Sequence, residues 1–347
     1  MPAPASQSER SMLRARLLRV ATIAMTMLPM AAFGQPIKLK LAYYSSEQGR
    51  SYTMAIKPFV DAVNADPRGG VQIEVYPGGA LGKDSTQQAQ LVRDGVADMA
   101  YVVLGTAADQ FKDHAVVELP GLFRDMREAT LVNTRLVDSE IMQGYENFFV
   151  VASLATEPEG IHTRVPIASL QDLRGKRIRA NNPVEAAALA RLGMSAVVLP
   201  IGKTAEAISR GTIDGAATAL GPLTDFGIGN VVNYHYFVRL GPSVRSVLMS
   251  RARFDSLPKP AQDAIRRYSG KWLAERFVNE DEVYNESLLN ELRSDSGRHV
   301  LFPAPAEIDI VASAFRAMRE EWANASPHSR ALLNLVQEEL AKYRAER

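Results

Sequence analysis

Residues Leu170 to Pro222 read LQDLRGKRIRANNPVEAAALARLGMSAVVLPIGKTAEAISRGTIDGAATALGP. Polar and apolar residues alternate through Arg177-Ile178-Arg179, a strand signal. Asn181, Asn182 and Pro183 then open an alanine-rich helix that runs to Leu192. A short strand follows at Ser195 to Pro200, a helix at Thr204 to Arg210 stopped by Gly211, and a third strand after Asp214-Gly215. Strand, helix, strand, helix, strand is the rhythm of a parallel sheet with helices on its faces. Arg179 stands where the first strand opens into its helix, and an arginine so placed presents a rigid, two-pronged donor to a carboxylate. The alternative is a structural ion pair near the surface, where most arginines sit. Arg177, two residues earlier on the same strand face, reads as solvated, and Asp214 as ordering its turn. Asn181 and Asn182 either cap the helix or hydrogen-bond a ligand, and both readings stay open.

Upstream the same rhythm recurs. Ile37 to Tyr43 and Val71 to Tyr76 alternate as half-buried strands, with a helix from about Ser51 to Ala65 between them. A helix from about Thr86 to Asp94 leads to Met99-Ala100-Tyr101-Val102-Val103, an apolar run expected of a strand buried on both faces. Tyr44, at the end of the first strand, is a candidate aromatic wall, and Tyr101, Phe226 and Tyr234 are weaker ones. Phe148 to Leu154 reads as a buried strand and Thr156 to Gly160 as a crossover between lobes. Tyr234 to Leu240 reads as a strand returning toward the first lobe, and Arg245 to Ser250 as the next crossing strand. Pro260 to about Leu292 reads as one long helix, interrupted only by Gly270. Residues 306–323 and 329–343 are further amphipathic helices. A chain of 347 residues suits two such α/β lobes.

Composition removes several function classes. The formal charge is +1, so there is no electrostatic case for nucleic acid. With no cysteine, disulfides, thiolate metal sites and a cysteine nucleophile are excluded. Residues 1–34 read as a signal peptide: Arg10, Arg14, Arg16 and Arg19 precede an apolar run from Val20 to Phe33, and small residues lie at Ala32 and Gly34. Cleavage near Gly34/Gln35 removes those four arginines and Glu9, and takes the formal charge from +1 to −2. Gly78 to Lys83 is one residue short of a phosphate loop, and Asp84 stands where the magnesium-binding hydroxyl belongs. The histidines, 114, 162, 235, 299 and 328, are isolated and lack zinc-ligand spacing. No Gly-x-Ser-x-Gly elbow occurs. Neither a catalytic residue, a metal site nor a cofactor is expected.

An ordered set of motifs then carries a family resemblance. Tyr76-Pro77-Gly78-Gly79-Ala80-Leu81-Gly82-Lys83-Asp84, Gln90 to Ala100 and Leu119-Pro120-Gly121-Leu122-Phe123 form its first part. Leu173 to Arg179, Leu192-Gly193, Gly211-Thr212-Ile213-Asp214-Gly215 and Phe254 to Pro258 complete it. Over most of residues 37–280 this resembles the solute-binding proteins of tripartite ATP-independent periplasmic (TRAP) transporters. The resemblance implies a two-lobed periplasmic-binding-protein fold with mixed sheets, crossing hinge strands and a long inter-lobe helix. Residues 35–156, with 245–285 returning, are expected in the first lobe. Residues 157–244 are expected in the second, with the helices of 286–347 packed on it. Arg179 matches the family arginine that pairs with the ligand carboxylate. Where relatives often carry Gln-Glu-Asn-Pro after Asp-Gly, this chain has Ala216-Ala217-Thr218-Ala219, so Thr218 best matches the polar position. Lys203 replaces a usual glutamate. Glu159 falls where sialic-acid binders have a second arginine, and Val103 where sugar-acid binders tend to be acidic. The ligand-binding set is therefore Arg179, Asn181, Asn182, Thr218, Tyr44, Val103 and Phe226. These departures point to an acid with fewer hydroxyls than a sugar acid: a small keto, hydroxy or aromatic monocarboxylate. The resemblance implies a periplasmic monomer that captures this acid and delivers it to membrane permease subunits. A periplasmic sensor, or less plausibly a secreted hydrolase or lyase, are the alternatives.

Overall fold

The computed structural model describes residues 35–346, so the signal-peptide expectation for 1–34 lies outside the described residues. No helix among the described residues is long and apolar enough to cross a membrane. Two mixed sheets form the frame, as the two-lobed expectation requires. The first has the order β2-β1-β3-β10-β4. In it β1 (Ile37–Ala42) lies parallel to β2 (Val71–Tyr76) and β3 (Met99–Val103), and β10 (Val244–Ser250) runs antiparallel to β3 and β4 (Phe148–Ala155). Helices α1 (Lys57–Ala65) and α2 (Gln88–Arg93) make the crossovers that parallel pairing demands. Leu39 and Leu41 alternate inward and pack with Phe59 of α1 and Ile73 of β2 in one apolar cluster. Behind the sheet lie α3 (Ala115–Glu118) and α4 (Met126–Asp138).

The second sheet has the order β11-β9-β5-β8-β6-β7. The opening stretch folds as read: β6 (Arg177–Ala180), α5 (Pro183–Arg191), β7 (Ser195–Val198), α6 (Thr204–Ser209) and β8 (Gly215–Thr218), with β6 parallel to both neighbours. β5 (Gly160–Thr163) and β9 (Tyr234–Tyr236) run antiparallel beside β8, and β11 (His299–Leu301) closes the edge. After β8 comes the short α7 (Gly221–Asp225). Tyr234 to Leu240 differs from expectation: its strand stops at Tyr236 and belongs to the second sheet, and the return begins only afterwards. The chain crosses between sheets at 156–159 and 237–243. The two crossings bond to each other, Thr156 N to Ser243 O at 3.0 Å and Leu240 N to Glu159 O at 2.9 Å.

Beyond β10 and the short α8 (Arg251–Asp255), the expected single long helix is two: α9 (Lys259–Arg267) and α10 (Lys271–Ser294). Gly270 breaks it with φ +58 and ψ −127, and its N–H donates to Val151 O at 2.8 Å. α10 spans both lobes. Its Leu273, Phe277 and Val278 pack in the first-sheet cluster, and Leu288 and Leu292 in the cluster beside the second sheet. α11 (Pro305–Asn324) touches both halves, Glu307 accepting Leu170 N at 2.6 Å and Arg319 donating to Pro120 O at 2.6 Å. The placing of all C-terminal helices on the second lobe is corrected for α12 (Pro327–Ala345). It lies against α3 and α4, where Leu332 and Val336 join the core containing Ala129 and Val132, and Arg344 grips Glu128 at 2.7 Å.

Candidate functional site

The C-terminal ends of β1, β3, β6 and β8 converge on one cleft, where open α/β sheets place their ligand crevices. The cleft encloses about 60 Å³. Arg179 reaches it from the end of β6 and is only 2% exposed. Its Nε donates to Leu199 O at 2.8 Å, Nη1 to Ala217 O at 3.3 Å and Nη2 to Asn181 Oδ1 at 2.8 Å. Each terminal nitrogen keeps a second N–H. Burial lowers the arginine's pKa and the nearby Glu185 and Glu159 oppose this, but a guanidinium stays charged regardless.

The two asparagines separate. Asn181 lines the cleft, accepting from Arg179 and donating to Ser243 Oγ at 3.2 Å. Asn182 does not line it. Its Oδ1 caps α5 by accepting Glu185 N at 2.8 Å, and it borders a separate cavity beside Glu118. Glu185 reaches back to Asn181 N at 2.5 Å. The expectation of Asn182 in the ligand set is thus corrected: its side chain is engaged in holding the helix start. Tyr44, Val103, Thr218 and Phe226 do line the cleft with Arg179. Lys203 stands outside it, in an outer groove of about 390 Å³ shared with Tyr44, Phe226 and Lys83. Arg177, read as solvated, is paired with Asp214 at 3.2 Å, and Arg177 N donates to the same carboxylate at 2.8 Å, ordering the turn.

One wall is aromatic. Tyr43 meets Tyr101 edge-on with ring centres 5.3 Å apart, Tyr44 lies 6.0 Å from Tyr101, and Tyr101 Oη donates to Ser51 Oγ at 2.7 Å. Val103 and Phe277 add apolar surface. Thr218 is held from behind. Its carbonyl lies 3.2 Å from His162 Nε2, and His162 Nδ1 lies 2.9 Å from His235 Nδ1. If His162 Nε2 donates to that carbonyl, His162 Nδ1 must accept and His235 Nδ1 donate, which leaves His235 Nε2 a bare lone pair; it indeed has no partner. Burial pushes the two rings down to about 3 and about 4, so both are neutral. The histidines read as isolated include a pair that strand register sets opposite each other.

Charged groups that the sequence reading missed complete the cleft. Arg245, from β10, lines it beside Tyr44, Tyr101, Glu157 and Glu159. Among the described residues its guanidinium makes no hydrogen bond and no ion pair. Burial alone would lower its pKa, but those tyrosines and carboxyls outweigh burial and raise it. Glu159 is 2% exposed, and burial with Glu185 beside it lifts its carboxyl well above the usual range. Glu185 is buried as well, and burial raises its carboxyl in turn. Its Oε1 has no hydrogen-bond partner. Asp225 accepts Arg50 N at 3.0 Å, and burial pushes Asp281 up to about 7. Glu157 accepts Leu220 N at 2.6 Å. No group of His, Asp and Glu among the described residues could hold a metal ion.

Known proteins share the fold of this chain. The family described as bacterial extracellular solute-binding protein, family 7, matches residues 41–325. A solute-binding protein of Albidiferax ferrireducens is 26% identical over 243 residues, 67% of this chain and 72% of its own length. A TRAP solute-binding protein from a marine metagenome, crystallised with 3-hydroxybenzoate, superposes with a TM-score of 0.81 at 23% identity, covering 89% of this chain and 99% of that one. Another, from Rhodoferax ferrireducens with copurified benzoate, gives a TM-score of 0.81 at 21% identity, with 89% and 99% covered. Both likenesses are of fold.

Proposed function

The chain belongs to family 7 of the bacterial extracellular solute-binding proteins, and from that membership we propose that it captures a small monocarboxylic acid in this cleft and delivers it to a TRAP membrane permease. It works in the periplasm as a monomer, after loss of residues 1–34. The ligand leaves chemically unchanged, because the family's members are receptors rather than catalysts. Arg179, Asn181 and Thr218 orient the acid, while Tyr44, Val103 and Phe226 pack against its body.

The observation that carries this reading is the buried Arg179 guanidinium at the converging strand ends, with N–H donors left over and a tyrosine wall beside it. A desolvated guanidinium binds an anion far more strongly than one in water, provided its other hydrogen bonds are made. Here they are made by two carbonyls and an asparagine. One wall of the cleft is aromatic and apolar, so a ligand hydroxyl turned toward that wall would be buried without a partner, at a cost of about 1–3 kcal/mol.

A melting-temperature screen of carboxylic acids checks the proposal. A ligand at a hundredfold excess over its Kd stabilises the fold by about 2.7 kcal/mol. Benzoate-like or small keto and hydroxy monocarboxylates should raise the midpoint, and mass spectrometry should recover them intact. Stabilisation by sugar acids alone would overturn the ligand class.

A further inference from the structure

Arg179 meets an anion with only part of its fork, because three of its nitrogens already hold protein oxygens. Arg245 faces the same cavity with every N–H free of hydrogen bonds among the described residues. The residue is half-buried, so these donors, and the positive charge they carry, face the cleft without a partner. The nearest carboxyls do not relieve it. Glu157 already accepts from Leu220 N and Asn285 Nδ2, and neither Glu157 nor Glu159 comes within ion-pair distance of Arg245. Its register partners on the flanking strands, Val103 and Leu154, are apolar.

We propose that Arg245 is a second anchor of the ligand's carboxylate and that it forms a clamp with Arg179 from the other sheet. This rests on the cleft being a carboxylic-acid site. Arg245 belongs to the first sheet and Arg179 to the second. A carboxylate shared between them ties the two lobes together, and two cations facing one cavity repel each other until an anion enters. The anion therefore favours the closed form by contacts that it cannot make with either lobe alone. A fork rather than a point charge is needed, so lysine should not substitute at residue 245.

Calorimetric titration with benzoate and with 2-oxobutyrate, together with melting curves of the ligand-free proteins, tests this. Arg245→Gln should weaken binding about a hundredfold and Arg245→Lys about tenfold or more. Ligand-free Arg245→Gln should melt at or above wild type, since it removes a half-buried cation that has no ion pair. Arg179→Lys should lower the ligand-free melting temperature, because Leu199 O and Ala217 O lose their donors. Binding by Arg245→Gln within about threefold of wild type, or a clearly lower ligand-free melting temperature for it, overturns the assignment and makes Arg245 a strut. Wild type that binds neither acid overturns the carboxylate reading itself, and the anchor with it.

Discussion

Glu118 has a single donor, Val244 N at 3.4 Å, and is 4% exposed. It fits only because residue 105 is glycine: a Cβ there would stand 2.8 Å from both carboxyl oxygens and 2.7 Å from Asn182 Nδ2. Burial pushes this carboxyl up to about 8. The folded chain then holds a proton that the unfolded chain releases near the ordinary glutamate pKa of about 4.3. The folded state binds more protons between those values, so this group's contribution is full at low pH and is lost as pH rises through about 8. Glu118→Gln should flatten the decline in melting temperature between pH 5 and 8 and should melt above wild type at pH 8. Parallel curves for the two proteins would show that Glu118 ionises normally. Residues of this kind are hard to read from sequence. Arg179 was legible because a turn of asparagines and proline marks the strand end. Arg245 was not, since an arginine inside an alternating strand looks like any solvated one until the partner strands enclose it.

Gly270 shows the same limit for elements. Apolar spacing runs on through Ile265, Tyr268, Trp272 and Phe277, so the pattern supports one helix. The break is made by backbone geometry and by the bond to Val151 O, which comes from a strand more than a hundred residues earlier. A Cβ at 270 would meet nothing closer than Asp138 at 3.8 Å, so the position is sterically open. What glycine supplies is therefore φ +58 itself. Gly270→Ala should cost about 1–3 kcal/mol in a denaturant titration, through backbone strain alone. A neutral result would mean that the break survives in another conformation. The short strands β5 and β11 escaped notice because three or four residues show too little alternation to register, and the first residue of β5, Gly160, was read as the end of the crossover beside it.

At the scale of the whole molecule, the crossings and α10 join the halves, and a further contact between them borders the cleft. Asp225 of α7 accepts Arg50 N from the loop after β1 at 3.0 and 3.3 Å. Beside it, Thr224 Oγ1 and Tyr284 Oη lie 3.0 Å apart, and the Arg50 guanidinium sits 3.3 Å above the Tyr284 ring. Hydrogen bonds to a charged acceptor contribute about 1.5–3 kcal/mol. Asp225→Ala should lower ligand affinity about tenfold, and its ligand-saturated form should show a larger radius of gyration by small-angle scattering than saturated wild type. An unchanged radius would remove this contact from closure. By itself the sequence determined the βαβ rhythm of both lobes and the place of Arg179 at a strand end, because periodicity, turn residues and strand ends are written locally. Only the tertiary structure decided where the ionisable groups gather: Arg245 toward the cleft, Glu159 beside Glu185, His162 against His235. Their environments are made by strands far apart in the chain, and desolvation has no local sequence signal.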